Sequence, residues 1–133
     1  MLHFRQLSIL FLPLIFSACS PSELACTEEF RSFSIEVRTS TDKKVADAST
    51  STFIKASGES LTFNNSGLSE GTYTVIDDSI LFDDGPKAGL RIGSNELIFR
   101  VTKDGKTVEK PYISVISECH IESLEGEKPF IFN

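Results

Sequence analysis

Hydrophobic and polar residues alternate with period two along most of the chain from Phe30 to Phe132, which is the pattern of strands with one buried face. In Phe30–Arg38 the residues Phe33, Ile35 and Val37 share one face and Ser34, Glu36 and Arg38 the other. Thr39–Lys44 (TSTDKK) is a turn or loop by composition. Ser51–Ser57 and Glu59–Phe63 are two short candidate strands that meet at Gly58 in a tight hairpin. Asn64-Asn65-Ser66-Gly67 closes that segment with residues that tolerate positive φ. Gly71–Asp77 (GTYTVID) alternates again, with Tyr73 and Val75 opposite Thr72, Thr74 and Ile76.

Asp77–Gly89 (DDSILFDDGPKAG) reads as a loop holding four aspartates, with one short apolar run at Ile80–Phe82. In Asn95–Lys103 the side chains of Leu97, Phe99 and Val101 share a face. Asp104-Gly105 then supplies the preferred chemistry of a two-residue hairpin turn. Thr107–Leu124 returns as the partner strand, with Pro111 predicting an edge position or a bulge because it removes a ladder donor. Pro129–Phe132 (PFIF) supplies a short last strand.

No stretch keeps a 3.6-residue apolar period for three turns. About seven short strands with turn signals roughly every 8–12 residues predict an all-β domain, a Greek-key β-sandwich of two sheets. A single closed barrel is the alternative. No internal repeat and no second domain are visible.

The start of the chain breaks this pattern. Arg5 and His3 precede an apolar run from Leu7 to Phe16, too short for a bilayer span of about 20 residues. A charged start, an apolar middle and a small-residue exit at Ser17-Ala18 describe an export signal over residues 1–18. Phe16-Ser17-Ala18-Cys19 resembles a bacterial lipobox, in which the cysteine takes a diacylglycerol thioether and becomes the mature N-terminus. Phe16 departs from the usual leucine. Residues 19–25 would then be a polar, lipidated tether, with Ser20-Pro21-Ser22-Glu23 its extended part, and 26–133 the folded domain. Acyl chains such as palmitate contribute ~0.8 kcal/mol per buried methylene, and stable anchoring takes more than one chain.

Cysteine counting separates the jobs of the three cysteines, Cys19, Cys26 and Cys119. An odd cysteine in an exported protein needs an explanation. If Cys19 carries lipid, Cys26 and Cys119 remain as one pair in a disulfide-forming compartment, spanning 119 − 26 = 93 positions. The competing reading is a zinc site of Cys26, Cys119 and His120, which lacks a fourth ligand and a C-x-x-C spacing. Loss of Arg5 with the leader leaves 12 basic against 19 acidic residues, a net charge of −7. Such a Trp-free acidic chain has no footprint for nucleic acid and no polybasic segment for anionic lipid. Membrane attachment therefore rests on Cys19.

Several matches carry a family resemblance: Cys26-Thr27-Glu28-Glu29-Phe30, the following F-x-I-x-V strand, Gly71-Thr72-Tyr73-Thr74-Val75, Glu118-Cys119-His120-Ile121-Glu122 and Gly126. Together with the lipobox, this resembles the small outer-membrane lipoproteins of Bacteroidota that carry a transthyretin-like sandwich, related in shape to carboxypeptidase regulatory domains. The likeness covers most of residues 19–126. It implies an outer-membrane location and a Cys26–Cys119 disulfide, and it assigns no chemistry or cofactor. The usual D-x-x-G turn after the first strand is replaced by Thr41-Asp42-Lys43-Lys44.

Candidate chemistry is sparse. His120 is the one histidine outside the leader, and strand alternation predicts that it projects from the sheet face opposite Cys119. Asp77, Asp78, Asp83 and Asp84 form the one concentrated charge. Their spacing matches no EF-hand loop, so calcium or a hydrolytic carboxylate pair is set against a solvated loop. Asp78-Ser79-Ile80 resembles the O-glycosylation acceptor of exported Bacteroidota proteins, with Ser79 as the modified residue. Asn64-Asn65-Ser66 fits the N-x-S form, but a lipobox protein is bacterial and the match reads as chance. Two functions follow. One is a non-enzymatic, lipid-anchored envelope module that binds or supports an envelope protein. The other is a small hydrolase or calcium-dependent binder built on the Asp77–Asp84 loop.

Overall fold

The computed structural model describes residues 26–81 and 89–133. The expected leader, Cys19 and the expected tether, together with Asp83 and Asp84, lie outside the described residues. The described residues form eight strands: β1 (Ser32–Thr39), β2 (Ser49–Ile54), β3 (Ser60–Leu61), β4 (Thr72–Asp77), β5 (Gly93–Lys103), β6 (Lys106–Ile116), β7 (Ile121–Gly126) and β8 (Phe130–Phe132). They build a β-sandwich of two sheets, ordered β4-β1-β8 and β3-β2-β5-β6-β7. The expected all-β sandwich is present, with one strand more than the alternation suggested. The extra strand comes from Thr107–Leu124, which divides into β6 and β7 around Ser117–His120. One pairing is parallel, between β1 and β8.

The β5–β6 hairpin is the longest ladder, running in register from Gly93–Ile116 to Lys103–Lys106. Its turn residues Asp104 and Gly105 have φ of 51° and 76°, the two positive values that suit the right-handed twist of the strands. Pro111 faces Ile98 on β5, and pairing with β7 begins one residue later at Tyr112–Gly126. Pro111 thus lies where the other side of β6 has no strand, as a residue without a ladder donor requires.

The core lies between the sheets. Leu97, Phe99 and Val101 of β5 are fully buried, each stabilising the fold by roughly 1.5–3 kcal/mol. The Phe99 ring meets Tyr112 and Phe130 edge-on, with centroids 6.2 and 5.8 Å away, a favoured aromatic arrangement. Through Phe130 the short parallel strand β8 closes the small sheet over the large one.

In β4, Tyr73, Thr74, Val75 and Ile76 are all buried, so Ile76 does not join an exposed face. A register shift opposite Phe33 and Ser34 leaves Val75 as an extra residue in the β1–β4 ladder. A bulge leaves backbone groups without ladder partners. The Thr52 hydroxyl, buried on β2 of the facing sheet, donates to the Val75 carbonyl at 2.5 Å.

Side chains also occupy backbone groups on two of the edge strands, β4 and β7, where unpaired groups are otherwise templates for further strands. Asn65 Oδ1 accepts from the Thr74 amide on the edge of β4, and Lys128 Nζ donates to the Leu124 carbonyl on β7.

Candidate functional site

Residues of the domain's first segment, the end of β4 and the β6–β7 turn converge at one corner of the sandwich. Cys26 and Cys119 are joined there by a disulfide, with Cα atoms 5.2 Å apart. That bond removes both thiols from the zinc reading. Among the described residues there is no group of three or more His, Cys, Asp or Glu that could hold a metal ion.

The turn that carries Cys119 and His120 is organised by Ser117. Its amide donates to the His120 carbonyl at 2.9 Å, and its hydroxyl oxygen accepts from the His120 amide at 3.1 Å. Serine commonly organises turns in this way. His120 therefore sits in a turn, and strand alternation does not govern its direction. Its side chain points inward and the residue is 5% exposed, while half-buried Cys119 turns to Cys26.

There His120 meets Asp78, which is 0% exposed. Asp78 opens a 3₁₀ turn, Asp78–Leu81, that follows β4 directly. The expected loop thus begins as a strand end and a helical turn, and both of its first two aspartates are buried. The Asp78 carboxylate accepts from the Ile121 amide at 2.8 Å through Oδ1. Through Oδ2 it meets His120 Nδ1 at 2.7 Å and the Arg31 amide at 2.9 Å. Burial works against its charge, but the Ile121 amide, the His120 ring and the Arg31 amide together outweigh burial and hold the carboxyl below its ordinary value.

On its other side, His120 Nε2 lies 2.9 Å from the hydroxyl of Thr27, an exposed residue next to Cys26. An ionised carboxylate only accepts hydrogen bonds. With the imidazole neutral, Nδ1 therefore carries the hydrogen toward Asp78, and Nε2 accepts from the Thr27 hydroxyl. Arg31 adds ion pairs to Glu122 at 2.5 Å and Glu29 at 3.7 Å on the rim. Hydrogen bonds from Ser117 and then Arg31 hold the Glu122 carboxyl below its ordinary range.

Asp77 does not join this corner. Asp77 Oδ1 accepts from the amide and hydroxyl of Ser79, so the two described aspartates serve different partners. Ser79 itself is exposed. Asn64 and Asn65 both use their side-chain oxygens locally, on the amides of Ser66 and Thr74.

Sequence reasoning missed the Thr27–His120–Asp78 chain of contacts, and no spacing among residues 27, 78 and 120 advertises it. Gly67-Leu68-Ser69-Glu70-Gly71 does have the letters of a nucleophile elbow. That motif needs a strand leading into a helix, whereas Ser69 lies in the exposed segment before β4. The length of β4 separates it from Asp78.

Compared with models of known protein families, with curated proteins and with solved structures, the chain matches none.

Proposed function

We propose that this chain is a bacterial cell-envelope lipoprotein: a β-sandwich without catalytic activity, held to the outer membrane by lipid on Cys19, that acts as a binding or structural accessory module. The observation that carries this reading is the Cys26–Cys119 disulfide. Pairing those two leaves Cys19 as the odd cysteine, directly after an apolar leader, and disulfides belong to exported proteins. The outward face of the large sheet supports a binding role. Ile113 there is 42% exposed, and β-pairing places Ile98 and Pro111 beside each other and Ile113 opposite Glu96. The alternative, a hydrolase or calcium binder on Asp77–Asp84, gains nothing from Asp77 and Asp78, whose carboxylates already serve protein donors.

The test is the intact mass of the protein purified from its native membrane, before and after reduction. An acylated N-terminal Cys19, with a gain of about two mass units on reduction, is the expected result. An unacylated chain that retains or has lost its leader by cleavage elsewhere overturns the anchor. Free thiols at Cys26 and Cys119 in the native protein overturn the compartment.

A further inference from the structure

The corner at Thr27, His120 and Asp78 has the polarity of a nucleophile, a base and an orienting acid. A nucleophilic hydroxyl needs a base within hydrogen-bond reach and a third group that orients the base. Here the hydroxyl and the imidazole are 2.9 Å apart, and the imidazole and the carboxylate 2.7 Å. The burial gradient runs the same way: Asp78 is sealed, His120 is nearly so, and Thr27 is exposed. Two backbone amides fix the Asp78 carboxylate, so the base is held on a rigid support. The disulfide joins the residues next to Thr27 and His120, and thereby holds hydroxyl and base together.

We infer that Thr27 is an activated nucleophile that accepts an acyl group from a carboxylic ester. Thr27 Oγ1 forms a bond to the acyl carbon, and its proton passes to His120 Nε2. The bond from that carbon to the ester oxygen breaks, and the leaving alkoxide takes the proton from His120. The products are an acyl-Thr27 ester and a free alcohol, and no oxidant or reductant is involved. Asp78 acts as a positioning residue: it keeps the hydrogen on Nδ1 and the lone pair on Nε2. The step ends at the acyl-Thr27 ester without turnover, so it goes beyond the non-catalytic accessory role proposed above, and it does not depend on where the protein is anchored.

The test uses the full, disulfide-bonded protein with p-nitrophenyl acetate, and separately with an alkyl fluorophosphonate, which forms a phosphonate ester at the same oxygen with release of fluoride. Adducts are mapped by tandem mass spectrometry. Thr27 is expected to react roughly a hundredfold faster than the exposed hydroxyls of Thr62 and Ser69 in the same molecule, the scale of general-base assistance. That comparison needs no variant. H120Q should remove the advantage, and T27S should keep it, whereas a merely structural hydrogen bond would give Thr27 no kinetic preference in the first place. Labelling of Thr27 no faster than Thr62 or Ser69 overturns the inference, as does an unchanged rate in a folded H120Q protein.

Discussion

Removing the Asp78 carboxylate should be among the most damaging single substitutions outside the apolar core. The side chain is 0% exposed and ties the entry to β1, through the Arg31 amide, to the start of β7, through the Ile121 amide. These strands belong to different sheets. Asp78→Ala leaves two backbone N–H groups and one imidazole N–H without their acceptor. A buried donor left unpaired costs about 1–3 kcal/mol, so the three together should cost roughly 3–6 kcal/mol, water relieving some of it at the rim. This is a large share of the ~5–15 kcal/mol typical of a whole domain. Asp78→Asn should cost less, about 2–3 kcal/mol. Its one oxygen can still receive the Ile121 amide, but its NH₂ group then faces the Arg31 N–H, donor against donor.

Urea unfolding of the oxidised protein at pH 7 measures both costs, with an unchanged m-value showing that the same surface unfolds. The pH dependence provides a second readout. The native carboxyl lies below its ordinary 3.8, so the charge contributes stability that is complete above about pH 5 and is lost as pH falls through the native value. Glu122 and Glu127 shift in the same direction and remain in the variant. The difference between wild type and Asp78→Asn across the acid limb therefore isolates Asp78, and the variant's limb should be flatter. An Asp78→Ala protein within about 1 kcal/mol of wild type, or an acid limb unaltered in Asp78→Asn, would refute the reasoning.

Three further outcomes can be measured in the same way. Replacing both Cys26 and Cys119 by alanine releases a closed loop of 93 positions, which the chain-entropy model puts at ~4.6 kcal/mol; a loss under about 1 kcal/mol in urea unfolding would contradict it. At Gly126 an added Cβ would fall 2.2 Å from Tyr112 Cδ1, and that ring is held by core contacts and by its hydroxyl, which donates to the Glu127 carbonyl at 2.6 Å. Gly126→Ala should therefore cost about 1–3 kcal/mol, and much less in a Tyr112→Ala background, a double-mutant cycle that reads the clash directly. Thr52→Val keeps the shape but removes the donor to the bulged Val75 carbonyl, so thermal unfolding should show a loss of about 1–2 kcal/mol, against near neutrality if the carbonyl finds another partner.

Features that depend on neighbours two to four residues apart were legible in the chain itself. Leu97, Phe99 and Val101 alternate into the core because a strand has period two. The Asp104-Gly105 turn follows from residues that accept positive φ. The same local reading failed where a polar residue's partner is distant. Asp77-Asp78 looks like solvated loop chemistry, yet Asp78 is buried because its three donors arrive from residues 31, 120 and 121. His120 looks like one more strand residue, and the local cue that it is not, the Ser117 hydroxyl organising the turn, becomes distinctive only once the chain has folded. The parallel β1–β8 pairing and the Thr52–Val75 contact are equally beyond pattern. Periodicity and turn chemistry are set by steric preferences within a few bonds. Whether a charge or hydroxyl is buried depends on whether tertiary packing brings donors and acceptors to it, and at this corner those come from three separate parts of the chain.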